Sequence, residues 1–495
     1  MKFRNILSIA LLCGVGVYNA FGLEVTSDGA GYLSVQLKED LSDVTSLTVK
    51  GNIDASDIFF LTDNMPALTS VDFQDAVIEA YRGESLHGRS TYPAATIPFG
   101  AFSGMGITSF VFPTQPGLVI ADAAFVNTPL AELSIPENVD SIGQGAFAGC
   151  NELTTVTMPT CRMGDAVFSN CEKLETVIIG SAMVIPAATF RGCTSLTAVE
   201  GAENIVAIGE RAFEGDTALT SFNFGKGIRT IGASAFAGTS LDKINLAEAS
   251  ELTEINDQTF ADAALTEVSL PDGLTTIGNG AFFGNSTLTD IVLPQQIIAI
   301  GQHSFANTTL SSLELPLALE EIGDYALLGQ SSIEELILPS SLIYIGDYAM
   351  EGMTGLRTID ARTLPEVPEL GTDVWAGVDQ KQVTLHLEPS SPDFENAPQW
   401  MEFIIDRPDG VNDAVVDNTD SAVRGRFYGN ELQLESRGRD IDMVRLFDIA
   451  GRLLLTVEPH DTNVAIDTTD LQGNIFIVNV VLEDSTSATL KLGRR

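Results

Sequence analysis

The sequence predicts a leucine-rich repeat solenoid, with a parallel β ladder and short helical or irregular turns, followed by a small C-terminal β-sandwich. Three patterns that recur in step predict the solenoid. A leucine pattern, L-x-x-L-x-L with conservative replacements, recurs every 21 to 24 residues, and an aromatic position recurs with it. Two residues after each aromatic position stands Gly, Asn or Asp. Because one coil cannot bury its own apolar face, stacked coils are expected to share a continuous core.

The leucine pattern predicts one short strand in each coil. Side chains alternate along a strand, so the leucines are expected to point inward and the residues between them outward. The pattern starts at Ile107, Leu130, Leu153, Leu174, Leu196, Leu219, Leu241, Leu265, Leu288, Leu310, Ile333 and Leu356.

The aromatic position predicts a buried ring on a short helical turn. It is occupied by Phe102, Phe125, Phe147, Phe168, Phe190, Phe213, Phe236, Phe260, Phe282 and Phe305, and then by Leu327, Met350 and Trp375. Gly, Asn and Asp are the residues that best tolerate positive φ. We therefore expect each turn to end in a left-handed residue two positions after the ring.

The ends of a solenoid need covers, because an open end exposes apolar residues and unpaired strand edges. Residues 23–98 are predicted to form an N-terminal cap with atypical repeats, and 99–407 the solenoid with its C-terminal cap. The segments that indicate the caps are the atypical coils 44–49 and 68–73, an insertion over 74–98, a strand over 383–387, and Trp400 with Phe403.

Residues 1–22 are predicted to be a secretory signal peptide. Lys2 and Arg4 precede an apolar run over 6–17, and Ala20-Phe21-Gly22 supplies small residues for cleavage after Gly22. The run is too short to span a bilayer, and no run of membrane-spanning length follows it. The sequence therefore predicts a secreted protein without an integral membrane span.

The charge of the chain excludes one class of partner. The chain has 67 acidic and 26 basic residues, and loss of Lys2 and Arg4 with the signal leaves a net charge of −43. Such a field repels phosphate backbones, so we expect no nucleic-acid partner. An acidic surface also keeps an elongated extracellular protein soluble, and that explanation of the charge stays open.

The repeats resemble the BspA-like leucine-rich repeat family of bacterial surface proteins. Ile142-Gly-Gln-Gly-Ala-Phe-Ala-Gly-Cys150 matches one half of the family's repeat, and Leu265-Thr-Glu-Val-Ser-Leu-Pro271 the other. The resemblance implies a surface or secreted protein, and some members of the family are adhesins for host proteins or other bacteria. It implies no particular binding residues.

The periodicity stops near Arg407. Residues 408–424 are predicted to be a polar linker, and short apolar runs over 431–435, 443–447, 452–456 and 475–480 predict a β-sandwich over 425–495. That domain resembles the C-terminal sorting domain of type IX secretion substrates, through Val444-x-Leu-x-Asp448-x-x-Gly451-Arg452, Gly473 and Lys491. The resemblance implies export to the exterior of the outer membrane of a Gram-negative bacterium. A plain β-domain without a sorting role is the alternative.

No catalytic, metal-binding or cofactor-binding motif is found in the sequence. Cys150, Cys171 and Cys193 share the position three residues after the aromatic ring, where other coils have Met, Thr, Asp, Ala or Asn. This indicates a tight inward position and a ladder of buried thiols, with a disulfide between adjacent coils as the alternative. His303 occupies a variable position and is expected on the surface.

The outward face of the leucine ladder is the predicted ligand-binding surface. Its side chains are mostly polar, which suits a protein or glycan partner, such as host matrix or another bacterium. We predict an adhesin-like binding protein; a structural cell-envelope protein with no host ligand is the alternative, and an enzyme is disfavoured. The predicted ligand-binding residues are Thr176, Ile178, Ser221, Asn223, Lys243, Asn245, Glu267, Ser269, Asp290 and Val292.

Overall fold

The structure is a computed structural model that describes residues 21–38, 40–181, 183–407, 423–428, 430–436, 438–448, 452–471, 475–484 and 486–493. The predicted signal peptide up to residue 20, and 408–422 of the predicted linker, lie outside the described residues. The chain divides into two compact units. The first unit extends to Leu356 and includes Pro368–Asp379, and the second comprises Arg357–Val367 and the chain from Gln380 onward.

The first unit begins with two atypical coils and two helices, α1 (Leu33–Gln36) and α2 (Ala55–Asn64). Helix α2 starts where Asp54 accepts hydrogen bonds from the Ser56 and Asp57 amides, which satisfies backbone donors that a helix leaves free. The first strands are β1 (Phe21–Ser27), β2 (Val44–Ile53), β3 (Ser70–Asp72), β4 (Ala76–Ile78), β5 (Tyr81–Leu86), β6 (Arg89–Tyr92), β7 (Thr96–Ile97) and β8 (Ser109–Val111).

The repeats that follow contain very short strands. They are β9 (Leu118–Ile120), β10 (Val139–Ile142), β11 (Thr155–Thr157), β12 (Arg162–Met163), β13 (Thr176–Ile178), β14 (Met183–Ile185), β15 (Ala198–Glu200), β16 (Ile205–Ile208), β17 (Thr230–Ile231), β18 (Lys243–Asn245), β19 (Glu254–Ile255), β20 (Glu267–Ser269), β21 (Thr276–Ile277), β22 (Ala299–Ile300), β23 (Glu321–Ile322), β24 (Glu335–Ile337), β25 (Tyr344–Ile345), β26 (Thr358–Asp360) and β27 (Glu369–Leu370).

These strands form two parallel ladders, where the sequence analysis predicted one. The first ladder is the predicted leucine ladder, and in this unit its sheets are β1-β2-β3-β8, β11-β13-β15 and β18-β20. The second ladder uses the segment before each turn, in the sheets β7-β9-β10-β12, β14-β16-β17 and β19-β21-β22-β23-β25-β27. In the second ladder one isoleucine stacks on the next, as Ile277 pairs with Ile300 and Ile300 with Ile322. Both ladders contribute inward side chains to one core.

The turn that carries the aromatic ring is not helical, but its predicted left-handed ending is confirmed. All thirteen residues two positions after the ring have positive φ. The backbone of each turn bonds to the next coil, as the amides of Ser234, Phe236 and Gly238 donate to the carbonyls of Asp257, Thr259 and Ala261 at 2.8–2.9 Å. An α-helix would direct these amides to carbonyls within its own coil, so bonding between coils replaces helix formation.

A second left-handed position, which the repeat pattern does not predict, lies two residues before the ring. All thirteen residues there have positive φ, although most are not glycine. They are Gly100, Ala123, Gly145, Ala166, Ala188, Arg211, Ser234, Gln258, Gly280, His303, Tyr325, Tyr348 and Asp373. Left-handed backbone costs such residues of the order of 1–2 kcal/mol, and the hydrogen bonds between coils offset that cost.

The aromatic rings form one continuous stack in the core. Ten consecutive phenylalanines, from Phe102 to Phe305, stack with ring centroids 5.2–5.9 Å apart. Each of these rings is less than 2% exposed. The prediction of a buried aromatic position is therefore confirmed.

Replacing Gly238 tests the left-handed position after the ring. Its φ is +67°, and a Cβ there would meet no atom closer than 3.9 Å, so only backbone strain opposes a side chain. We expect Gly238→Val to lower the free energy of unfolding by about 1–2 kcal/mol, and Gly238→Asn to be tolerated because Asn170 holds this position at φ 55°. Urea denaturation measures both variants. Equal tolerance of Val and Asn would contradict the role of the backbone.

The second unit contains the segment predicted as the C-terminal cap. Strands β26, β28 (Thr384–His386) and β29 (Ile404–Asp406) form a parallel ladder, with 3-10 turns at Gln380–Gln382, Phe394–Asn396 and Trp400–Glu402. Trp400 is buried edge-to-face against Phe394, with ring centroids 5.2 Å apart. The segment therefore has an aromatic core of its own.

The C-terminal strands form two antiparallel sheets compatible with the predicted β-sandwich. One sheet is β30-β31-β34 and the other is β33-β32-β35-β36. Strand β30 begins at Val423 and so includes the last two residues of the predicted linker, while Gly451 and Gly473 lie outside the described residues. The strands are β30 (Val423–Tyr428), β31 (Glu431–Ser436), β32 (Ile441–Phe447), β33 (Leu453–Val457), β34 (Asn463–Asp467), β35 (Ile475–Leu482) and β36 (Ser487–Gly493).

Candidate functional site

The first ladder places its outward side chains in rows across successive coils. In β13, β18 and β20 the central side chain is buried and the two beside it are exposed or half-buried. Strand β18, for example, buries Ile244 and exposes Lys243 and Asn245. Because adjacent strands are parallel and in register, Lys243 lies beside Glu267 and Asn245 beside Ser269. Within each sheet of the first ladder, outward residues of neighbouring coils therefore form rows, as the alternation predicts.

Six of the ten predicted ligand-binding residues lie on strands of the first ladder and four do not. Residues 219–224 and 288–293 are not strands, so the ladder is interrupted there. Where the strand is missing, neighbouring coils are joined by fewer bonds, such as that from the Asp242 amide to the Thr220 carbonyl. The residues on strands are Thr176, Ile178, Lys243, Asn245, Glu267 and Ser269, and those outside strands are Ser221, Asn223, Asp290 and Val292.

The outward face is equipped for hydrogen bonding and ion pairing with a partner. Lys243 Nζ lies 2.7 Å from Glu267 Oε2, and this hydrogen bond raises the pKa of the Lys243 ammonium. Asn223 Nδ2 donates to Glu203 Oε2 at 3.3 Å. Both contacts are exposed and weak in water, so a partner can exchange them for its own polar groups.

A groove lies on the turns of the repeats, where the sequence gives no indication of one. Its volume is about 850 Å³. Small residues such as Ala237 and Gly280 line it together with the polar side chains of Asp257, Gln258 and Gln302. Residues at the second left-handed position line the groove. Because the residue types there differ from coil to coil, they do not reveal the groove in the sequence. The groove offers hydrogen-bonding groups to a polar ligand.

An aromatic column continues the groove on the outside of the turns. His303 stacks on Tyr325 with ring centroids 4.8 Å apart, and Tyr325 on Tyr348 at 5.1 Å. All three rings are half-buried and occupy the left-handed position before the core ring. His303 is therefore a surface residue, as predicted, and its ring packs against a neighbour in the next coil.

The position three residues after the ring is a buried hydrogen-bonding ladder, as its small residue types indicate. Cys150, Cys171 and Cys193 are free thiols and fully buried. Each Sγ donates to the carbonyl of the phenylalanine one coil earlier, at 3.2–3.4 Å. Asn285 makes the equivalent bond to the Phe260 carbonyl with its amide, at 2.8 Å.

Asp216 occupies the same position, and its carboxyl is completely buried. Its Oδ1 accepts from the Cys193 amide at 2.8 Å, while Oδ2 has no hydrogen-bond partner among the described residues. Burial raises the pKa of Asp216 well above its usual value and, likewise, that of the Cys193 thiol. Groups with strongly shifted pKa values cluster at active sites. Here both side chains are completely buried, so no substrate reaches them.

Asp216→Asn is expected to remove a pH dependence of stability. Because the pKa of Asp216 is raised on folding, its contribution to stability is fully present below the unfolded-state pKa and is lost as pH rises through the folded-state pKa. An asparagine at this position stays neutral at every pH. Its side-chain amide can donate to a backbone carbonyl, as the Asn285 amide does. We expect the free energy of unfolding of the variant, relative to that of the parent chain, to increase by about 1–3 kcal/mol from acidic to alkaline pH.

Chemical denaturation of both chains across that pH range measures the gain. The reverse substitution, Asn285→Asp, is the matched control and should introduce a loss of stability at alkaline pH. Parallel pH profiles for the parent chain and Asp216→Asn would contradict this account of the buried carboxyl.

Within the part of the chain that the structure describes, no group of three or more His, Cys, Asp or Glu side chains is placed to hold a metal ion. None of the described helices has the length and apolar character needed to cross a membrane.

Comparisons with known proteins agree with the repeat architecture. The profile described as BspA type Leucine rich repeat region (6 copies) matches residues 92–185, 118–242, 183–282 and 253–378, which together cover more than half of the 495-residue chain. No curated protein sequence matches the chain.

Several solved structures are similar to the chain at low sequence identity. A leucine-rich repeat protein from Bacteroides ovatus is 22% identical with a TM-score of 0.46, over 67% of this chain and 84% of that one. A leucine rich cell surface protein from Faecalibacterium prausnitzii is 24% identical with a TM-score of 0.32, over 55% and 84%. The pneumococcal vaccine antigen PcpA is 17% identical with a TM-score of 0.28, over 71% and 69%.

Proposed function

Because the chain belongs to the BspA-type leucine-rich repeat family, we propose that it is a secreted or cell-surface binding protein that acts as an adhesin. It engages a protein or glycan partner through the outward face of its first ladder and uses no cofactor. One observation carries this proposal. The positions whose residue types are fixed by packing in the core point inward, whereas the residue types at the outward positions differ from coil to coil. Asn245 and Ser269 lie side by side on that face with their side chains toward solvent. A row of differing side chains on a regular scaffold is suited to recognising an extended partner.

Binding of the chain from Leu23 onward to arrays of glycans, host-matrix proteins and purified cell walls tests this proposal. We expect a host-matrix or glycan ligand whose affinity falls at least about tenfold in the double variant Asn245→Ala and Ser269→Ala. Thr91→Ala, on the exposed strand β6, is the matched control. Binding to cell walls alone would favour the structural cell-envelope protein. Full affinity in the double variant would exclude this part of the face.

We also propose that the C-terminal β-domain directs export to the outside of the outer membrane. The domain has a hydrophobic core built only from residues after 422, including Leu446, Phe476 and Val478. A domain with its own core can be handled by a translocation machine without unfolding the repeats. Arg407 is the last residue before the predicted linker. Its guanidinium forms an ion pair with Glu395, with Nε 2.6 Å from Oε1, and donates a hydrogen bond to the Ser391 carbonyl.

Truncation after Arg407 is expected to leave the repeats folded and binding in vitro unchanged, while the chain no longer appears at the cell surface. Cell fractionation of full-length and truncated chains measures this, with circular dichroism of the truncated chain as the control for folding. Mass spectrometry of the surface form should find a C-terminus before Arg495. A truncated chain at the surface, or a surface form that retains Arg495, would support a plain β-domain instead.

A further inference from the structure

Five large aliphatic side chains are exposed on three successive coils of the first unit. Leu317 is 73% exposed, and the others are Val292, Ile298, Ile337 and Ile343, at 77%, 44%, 53% and 61%. Single exposed aliphatic residues are normal, but grouped ones mark contact surfaces. Their position in the fold therefore decides whether they form a surface.

Hydrogen bonds between coils place these residues on adjoining coils. The Leu317 amide donates to the Gln295 side chain one coil earlier at 3.0 Å, and the Leu317 carbonyl accepts from Ser341 one coil later at 2.9 Å. In the second ladder the Glu320 amide bonds to the Ile298 carbonyl, and the Ile343 amide to the Glu320 carbonyl. The three coils are therefore consecutive at this surface.

Each row alternates apolar and acidic side chains. Ile298, Glu320 and Ile343 form one row, and Val292, Glu314 and Ile337 hold one repeat position in the same three coils. Leu317 lies on the turn between the two rows. We call these seven residues the apolar–acidic patch. Glu314 and Glu320 are exposed and make no ion pair with any residue the structure describes.

The patch lies in a part of the chain without basic residues. From Ile244 to Leu356 there are sixteen carboxylates and no Lys or Arg, so these coils cannot neutralise their own charge. Earlier coils neutralise carboxylates through ion pairs between neighbouring coils, such as Arg162 with Asp140 at 2.8 Å and Lys173 with Glu152 at 2.7 Å. The difference leaves a strong negative potential around the exposed aliphatic side chains.

We propose that the apolar–acidic patch docks a polypeptide segment of a partner protein that carries Lys or Arg between aliphatic or aromatic residues. This rests on the proposed binding function and names the class of partner. Burial of the five aliphatic side chains favours an apolar partner, and the unpaired carboxylates attract its cations. A neutral glycan has no cations that alternate with large apolar groups in this way. A nucleic acid is repelled by the carboxylates.

A random peptide library displayed on phage and selected on the full chain tests the proposal. Enriched peptides are expected to combine Lys or Arg with apolar residues. Their dissociation constants should rise at least about tenfold in Leu317→Ser with Ile343→Ser, and in Glu314→Gln with Glu320→Gln. Val184→Ser, at a residue 56% exposed in an earlier coil, and Glu254→Gln are the matched controls and should change affinity less than about twofold. Every substituted side chain is exposed, so the fold should be retained.

Two results with the peptides would overturn the proposal. One is binding of both patch variants at parental affinity, and the other is weaker binding of the glutamate variant without weaker binding of the aliphatic variant. Sedimentation velocity finding self-association that Leu317→Ser with Ile343→Ser abolishes would assign the patch to a second copy of the chain. If a ligand found on the arrays binds both patch variants with normal affinity, the proposed function stands and only the patch is removed from it.

Discussion

Phe236→Ala is expected to lower the free energy of unfolding by about 3–5 kcal/mol. The ring of Phe236 stacks between Phe213 and Phe260, with centroids 5.2 and 5.7 Å away. The edges of Phe222 and Phe224 contact it as well, at 4.9 and 5.3 Å. Removing the ring leaves a cavity that the coils on either side cannot close, because their own rings are held by the same stack. Urea denaturation of the parent chain and the variant measures the loss.

The control for this prediction is Ser221→Ala, at an exposed outward position of a nearby coil. It should change the free energy of unfolding by less than about 0.5 kcal/mol. Comparable losses in the two variants would show that the inward and outward assignment of the repeat is mistaken.

Gly201→Ala is expected to lower the free energy of unfolding by about 2–5 kcal/mol, from left-handed strain and a backbone clash together. Gly201 has φ +75°, and a Cβ there would overlap the carbonyl oxygen of Ile179 in the preceding coil. Neither coil can withdraw easily, because the Ile179 amide donates to the Glu200 carbonyl at 2.8 Å. The loss is again measured by urea denaturation.

Gly180→Ala is the matched control, because no atom lies within 4 Å of a Cβ built at Gly180. Its effect should stay within about 0.5 kcal/mol. If the two alanine variants are equally stable, the close approach of the coils at Gly201 does not constrain the sequence.

Residue types revealed the parts of the fold that depend on burial or on an uncommon backbone. Phe236 and its equivalents could be assigned to the core because their period coincides with that of the leucines. Gly238 and its equivalents revealed a left-handed turn because few residue types tolerate positive φ. In the C-terminal domain, β31, β32, β33 and β35 were predicted within one or two residues, whereas β30, β34 and β36 were not recognised.

The candidate site was less accessible from the sequence. The alternation around Ile244 correctly placed Lys243 and Asn245 outward, but the interruption of the ladder near Ser221 and Asp290 has no counterpart in the leucine pattern. The groove beside Gln258 was missed, because its lining residues are ordinary polar types. The patch around Leu317 was missed as well, because its side chains come from three successive coils, more than twenty residues apart in the sequence, that only stacking brings together.

By itself, the sequence determined the repeat, its core and its left-handed turn, since each of these needs a particular residue type at a fixed interval. Only the tertiary structure decided the second ladder, whose strands such as β21 are two residues long and too short for alternation to appear. It also decided that Tyr325 and His303 adopt positive φ, which their residue types disfavour. The physical reason is the same in both cases. These conformations are stabilised by hydrogen bonds to the next coil, and a bond between residues more than twenty positions apart leaves no local mark on the chain.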